Sequence, residues 1–144
     1  MLTRAIPASG ESLGVIGLGT YRGFDQGPRD AGYEMLGSVV DSLLEAGGSM
    51  LDSSPMYGRA EASVGEVIVG SSRRSRCFLA TKVWTSGRAA GERQMLQSFQ
   101  RLQCDQIDLM QVHNLVGYDG HIKTLRDWQA DGKVRYLGIS HYTS

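Results

Sequence analysis

Two periods of apolar residue run through this chain and take turns. Short apolar runs at residues 13–19, 49–53, 77–83, 107–113 and 134–139 read as strands. Between them the apolar residues recur at helical spacing. Tyr33, Leu36, Val40, Leu43 and Leu44 follow a candidate N-cap at Asp30 and predict a first helix, which Gly47-Gly48 stops. Val64, Val67 and Ile68 mark a second, starting near Ala60-Glu61. Met95, Leu96, Phe99 and Leu102 mark a third, over about 91–103, and Ile122, Leu125 and Trp128 a fourth, over 120–129. Residues 1–12 are polar and turn-rich and read as a lead-in.

Five strands and four helices in strict alternation predict parallel strands joined by right-handed crossovers. No linker or low-complexity segment interrupts them, so residues 1–144 read as a single domain. An open doubly wound sheet and part of a (βα)8 barrel both fit. A dinucleotide-binding start would place GxGxxG directly before a helix. Here Gly17-Leu18-Gly19-Thr20-Tyr21-Arg22 lacks the third glycine, and helical signals begin only near Asp30. The barrel is favoured further by ionisable groups at several successive strand ends. The expected fold is α/β, a parallel TIM-barrel type truncated after about five strands and four helices.

Charge narrows the function. Fifteen basic and fifteen acidic residues leave a net charge of zero. No basic stripe suggests nucleic acid as a partner. No apolar run reaches the roughly 20 residues of a membrane helix, and the N-terminus lacks the apolar core of a signal peptide. A cytoplasmic protein without a membrane partner is expected. Cys77 and Cys104 lie in no metal-ligand spacing and read as reduced thiols. The three histidines match no recurrent ligand pattern, so no metal is expected. His121 and His141 read as helix-start and loop residues, and Asp105 and Asp108 as turn and strand-entry residues.

The chemistry gathers at three strand ends. Asp52 opens Asp52-Ser53-Ser54-Pro55-Met56-Tyr57-Gly58; Lys82 and His113 close the next two apolar runs. Successive members lie about 30 residues apart, the length of a βα unit. Tyr57 is the candidate acid. A phenol donates poorly at neutral pH until a nearby ammonium favours the phenolate. Lys82 could supply that charge, Asp52 could be its counter-ion, and His113 could orient a carbonyl oxygen. Such a group suits reduction of a carbonyl by a hydride donor. Taken singly, each residue reads as well as a cap, surface or packing residue. Trp84 reads equally as a substrate wall or as packing under a loop.

These residues resemble the aldo/keto reductase superfamily. The resemblance is carried in order by Gly17-Leu18-Gly19-Thr20, Leu51 to Gly58, Ala80-Thr81-Lys82-Val83-Trp84, Ile107 to His113 and Leu137-Gly138-Ile139-Ser140. It implies a (βα)8 barrel reducing aldehydes or ketones with NADPH, and a catalytic tetrad of Asp52, Tyr57, Lys82 and His113. It also implies cofactor contacts from Gly19, Thr20, Tyr21, Asp52 and Ser140, with His141 where the family often has Asn. Trp84 would then contact substrate. A whole barrel runs to about 250 residues, so the chain resembles the N-terminal part of one. Self-association through open barrel edges is expected of it. Two rival readings are a non-catalytic half-barrel module and a lyase using Lys82 as a Schiff-base nucleophile.

Overall fold

The computed structural model describes residues 1–142. The chain begins with an antiparallel hairpin, β1 (Thr3–Ala5) and β2 (Ser12–Gly14), with Arg4 opposite Leu13. There follow β3 (Leu18–Gly19), α1 (Leu36–Glu45), β4 (Met50–Asp52), α2 (Ala60–Ile68), β5 (Phe78–Val83), α3 (Arg88–Leu102), β6 (Ile107–His113), α4 (Tyr118–Ala130) and β7 (Val134–Ser140). Strands β3 to β7 form one parallel sheet in the order of the sequence.

The helices decide between the two architectures. α1 packs on α2, α2 on α3 and α3 on α4, so all four cover the same face. A doubly wound sheet would place helices on both faces. Sequential strand order with helices on one side is the barrel arrangement, as the ionisable strand ends suggested.

Between sheet and helices lies the core. Leu51, Leu79, Val83, Met110 and Val112 from the strands meet Val40, Val64, Ile68, Met95, Leu102 and Leu125 from the helices. The opposite face carries the registered pairs Ala80–Leu109, Lys82–Gln111 and Gln111–Gly138. Side chains alternate along a strand. β5 therefore turns Thr81 toward the helices and Lys82 away from them. Thr81 donates a 2.7 Å hydrogen bond to Glu61 of α2, which is 1% exposed and also pairs with Arg101 of α3. The two helices can approach closely because residue 65 is glycine. A Cβ there would come within 2.8 Å of the Leu102 carbonyl carbon.

The N-terminal hairpin is tied to the last strand. Glu11 pairs with Arg135 and accepts a 2.6 Å hydrogen bond from the Tyr136 hydroxyl. Arg135 also reaches Asp108, which in turn accepts from the Leu79 amide at 2.8 Å. Phe78 stacks on Tyr136 beside this cluster.

Several expectations change. Residues 1–12 are not a plain lead-in, and the expected strand at 13–19 divides between hairpin and sheet. The three residues of β1 are all exposed and carry no apolar alternation, which hid the hairpin. At Gly17 a Cβ would sit 3.1 Å from that of Met50, so a side chain at this joint would press on Met50. Asp30 does not cap the first helix. Its carboxylate accepts from the Gly27 amide at 2.6 Å, a loop bond, and a 3₁₀ turn at Tyr33–Met35 precedes α1. Leu96, placed on the apolar side of α3, is exposed, and Asp108, at the entry of β6 as expected, is also buried in an ion pair. Finally, His121 lies at the start of α4 as expected, but it is fully buried, with Nε2 2.7 Å from the Thr85 carbonyl oxygen.

Candidate active site

Three strand ends converge on one ion pair. Asp52 ends β4, and Lys82 is the penultimate residue of β5. The Lys82 ammonium donates to Asp52 Oδ2 at 2.7 Å and to the Ser53 carbonyl at 2.8 Å. Lys82 is 4% exposed, so the cation depends on these two acceptors. Asp52 is more open, its side chain 33% exposed.

Tyr57 sits in the turn after β4, where its amide bonds back to the Ser54 carbonyl. The Lys82 ammonium lies over its ring, 5.1 Å from the centroid. The expected ion-pair reach from Lys82 to Asp52 is present. Toward Tyr57, the contact is with the ring face rather than the hydroxyl.

The loop after β3 seals the back of the pair. Gly19 is in register with Asp52. Thr20 is fully buried, and its hydroxyl donates to the Ser53 hydroxyl at 2.9 Å and meets the Asp52 carbonyl at 3.1 Å. This holds the Asp52–Ser53 backbone whose carbonyl receives Lys82. Tyr21 is exposed and tilts over Tyr57, 5.0 Å between centroids.

His113 ends β6 in register with Ser140 of β7. Trp84, just past β5, stands at right angles to its ring with centroids 5.1 Å apart, and the Tyr142 ring centroid lies 5.7 Å away. Burial first, and the Lys82 charge second, hold His113 below the ordinary imidazole range, so the neutral ring is favoured. Its Nδ1 is buried without a partner among the described residues. A neutral imidazole can still donate or accept one hydrogen bond.

The structure thus gathers Asp52, Tyr57, Lys82 and His113 at the C-terminal ends of the strands. Gly19, Thr20 and Tyr21 stand on one flank, and Trp84, Ser140 and His141 on the other. The sequence reading passed over Gln111, whose side-chain amide donates to Asp52 Oδ1 at 3.1 Å. The available signal was its place two residues before His113, on the same face of the strand.

Beside Asp52 the backbone leaves room. A Cβ on Gly19 would meet nothing within 4 Å, so there is space next to the ion pair. No group of three or more possible metal ligands gathers among the described residues. No helix among them is long and apolar enough to cross a membrane. Both cysteines are free; burial raises the Cys77 thiol and pushes that of Cys104 up to about 11, so neither is a ready nucleophile.

Comparison with known proteins identifies the family and the fold. Residues 15–144 match the model of the aldo/keto reductase family. The chain is 31% identical over 149 residues to the methylglyoxal reductase YeaE of Escherichia coli, covering 98% of this chain and 50% of that protein. It is 30% identical over 120 residues to the aldo-keto reductase YhdN of Bacillus subtilis, covering 73% and 36%. Among solved structures, the holo form of the aldo-keto reductase AKR11C1 from Bacillus halodurans superposes with a TM-score of 0.81. Identity is 28%, over 98% of this chain and 50% of that one. An aldo-keto reductase from Klebsiella pneumoniae in complex with NADPH gives 0.82 at 26% identity, over 100% and 51%. The chain spans about half the length of these relatives or less.

Proposed function

This chain belongs to the aldo/keto reductase family, and from that premise we propose that it carries the catalytic strand ends of an NADP-dependent oxidoreductase that reduces an aldehyde or ketone. The observation that carries the reading is the Lys82 ammonium, buried between the Asp52 carboxylate and the Tyr57 ring.

NADPH, when bound, supplies the hydride that adds to the carbonyl carbon. The oxygen then gains negative charge, and Tyr57 gives it a proton to complete the alcohol. Lys82 favours the phenolate that remains, and Asp52 keeps Lys82 charged and in place. His113, held neutral, hydrogen-bonds the carbonyl oxygen and orients it. Gly19, Thr20 and Tyr21 would hold the nicotinamide side, with Ser140 and His141 at its carboxamide. Trp84 walls the substrate side. Two unpaired cysteines support a cytoplasmic location.

The test is NADPH binding by fluorescence and NADPH consumption with a panel of short aldehydes, in the protein and in Tyr57→Phe. Binding should survive in the variant while turnover falls by about 10² to 10⁴, the usual worth of a general acid. Equal turnover in the two proteins would remove Tyr57 from its role.

A further inference from the structure

The two oxygens of Asp52 have different donors. Oδ2 takes the Lys82 ammonium at 2.7 Å, and Oδ1 takes the Gln111 amide at 3.1 Å. Gln111 lies on β6, in register with Lys82 on β5, so its side chain crosses β5 to reach β4. Its register partner on the far side is Gly138. A Cβ at that position would come within 3.3 Å of Gln111 Cγ and 3.1 Å of Leu109 Cδ1. The bare backbone of β7 leaves Gln111 the room in which its side chain lies.

Building on the catalytic reading above, we infer that Gln111 is a positioning residue for the Asp52–Lys82 pair. A carboxylate held through one oxygen turns about its Cβ–Cγ bond, and the partial exposure of Asp52 lets water compete for it. A second donor on the other oxygen fixes the carboxylate plane. The amide suits this place because it is neutral: it steadies Asp52 without offering a second cation in competition with Lys82. Gln111 touches neither the carbonyl nor the proton in this scheme. It acts through Asp52 on where the ammonium stands relative to Tyr57.

The test reads the ammonium directly and does not depend on turnover. In the nitrogen-15-labelled chain, exchange of the Lys82 Nζ protons with water is measured by NMR. Gln111→Met keeps the length of the side chain and removes the donor. Exchange should quicken on the order of tenfold, as expected for loss of one hydrogen bond to a charged group. Gly138→Ala leaves the amide in the chain but crowds its Cγ, and should quicken exchange on the order of threefold. Asp52→Asn is the control for the pair itself. If that variant quickens exchange and both Gln111→Met and Gly138→Ala leave it unchanged, the inference about Gln111 is overturned and the pair stands. If Asp52→Asn also leaves it unchanged, the pair and the inference fall together. In active protein, Gln111→Met should lower kcat with KM for the aldehyde unchanged, whereas a collapsed pocket would raise KM.

Discussion

Breaking the ion pair from its two ends should not cost the same. Asp52→Asn leaves a cation that is 4% exposed, with the Ser53 carbonyl as its remaining close acceptor besides the new amide. Removing one partner of a buried pair typically costs 3–5 kcal/mol, and the retained acceptor argues for about 3. Lys82→Met leaves an anion whose side chain is 33% exposed and still bonded to Gln111. Water and the amide solvate it, so the expected loss is about 1–2 kcal/mol. For a chain of this size, each kcal/mol moves the thermal midpoint by roughly 2–4 °C. Asp52→Asn should therefore melt about 6–12 °C lower and Lys82→Met only about 2–8 °C lower. The assay is urea unfolding followed by circular dichroism, with both single variants and the double variant at one pH. The double variant should resemble Lys82→Met, because the orphaned cation is gone. A Lys82→Met loss equal to or greater than that of Asp52→Asn would refute the reasoning and mean that Lys82 is not held mainly by its counter-ion.

Three further outcomes follow from the geometry. His113 has its folded pKa depressed by burial and by Lys82, so the unfolded chain binds more protons in acid. Its contribution is complete above about pH 6.5 and is lost as pH falls below that value; His113→Gln should flatten the slope of thermal midpoint against pH there. The Glu11 carboxyl is held below its usual range by the Tyr136 hydroxyl, against some burial and with help from Arg135. That stability is present above about pH 4.3 and is lost as pH falls through the lower folded value, so Tyr136→Phe should lose less on acidification than wild type in denaturant titrations. Gly65→Ala would drive a methyl group into the backbone of α3 at Arg101 and Leu102. It should cost about 1–3 kcal/mol by chemical unfolding, while Gly120→Ala, whose nearest neighbour would be Arg88 Cβ at 3.6 Å, should be tolerated.

The regular part of the fold was legible because its signal is periodic. β6 was read at its true bounds, since Ile107 to His113 is bounded by turn residues and ends on an imidazole. The strand ends also told where the site lies, because a charged residue after an apolar run stands out. What stayed hidden depends on partners distant in sequence. Asp108 looks like an edge residue until Arg135 is beside it. His121 looks like a polar helix residue until Gly91 and Gly117 are seen to leave space for its ring. Gln111 sits in an apolar run, where a lone amide has no visible purpose until Asp52 arrives from two strands away. The hairpin was missed for the opposite reason: β1 has no buried residue, so its pairing leaves no trace in hydrophobic pattern.

The tie between Glu11 and the last strand also sets a schedule. Its partners are 124 residues apart for Arg135 and 125 for Tyr136. On a ribosome adding roughly 5–20 residues per second, Glu11 waits on the order of 6–25 s before either partner exists. During that time the hairpin can close on itself through the Ile6–Glu11 backbone bond and meet the Gly47-Gly48 turn after α1, but its polar ties to the last strand cannot form. The sheet can grow strand by strand from β3 onward, each new βα unit adding to its predecessor, while the N-terminal hairpin still lacks its ties to Arg135 and Tyr136. That tie is then a late event on the assembly line, formed only once β7 has been laid down.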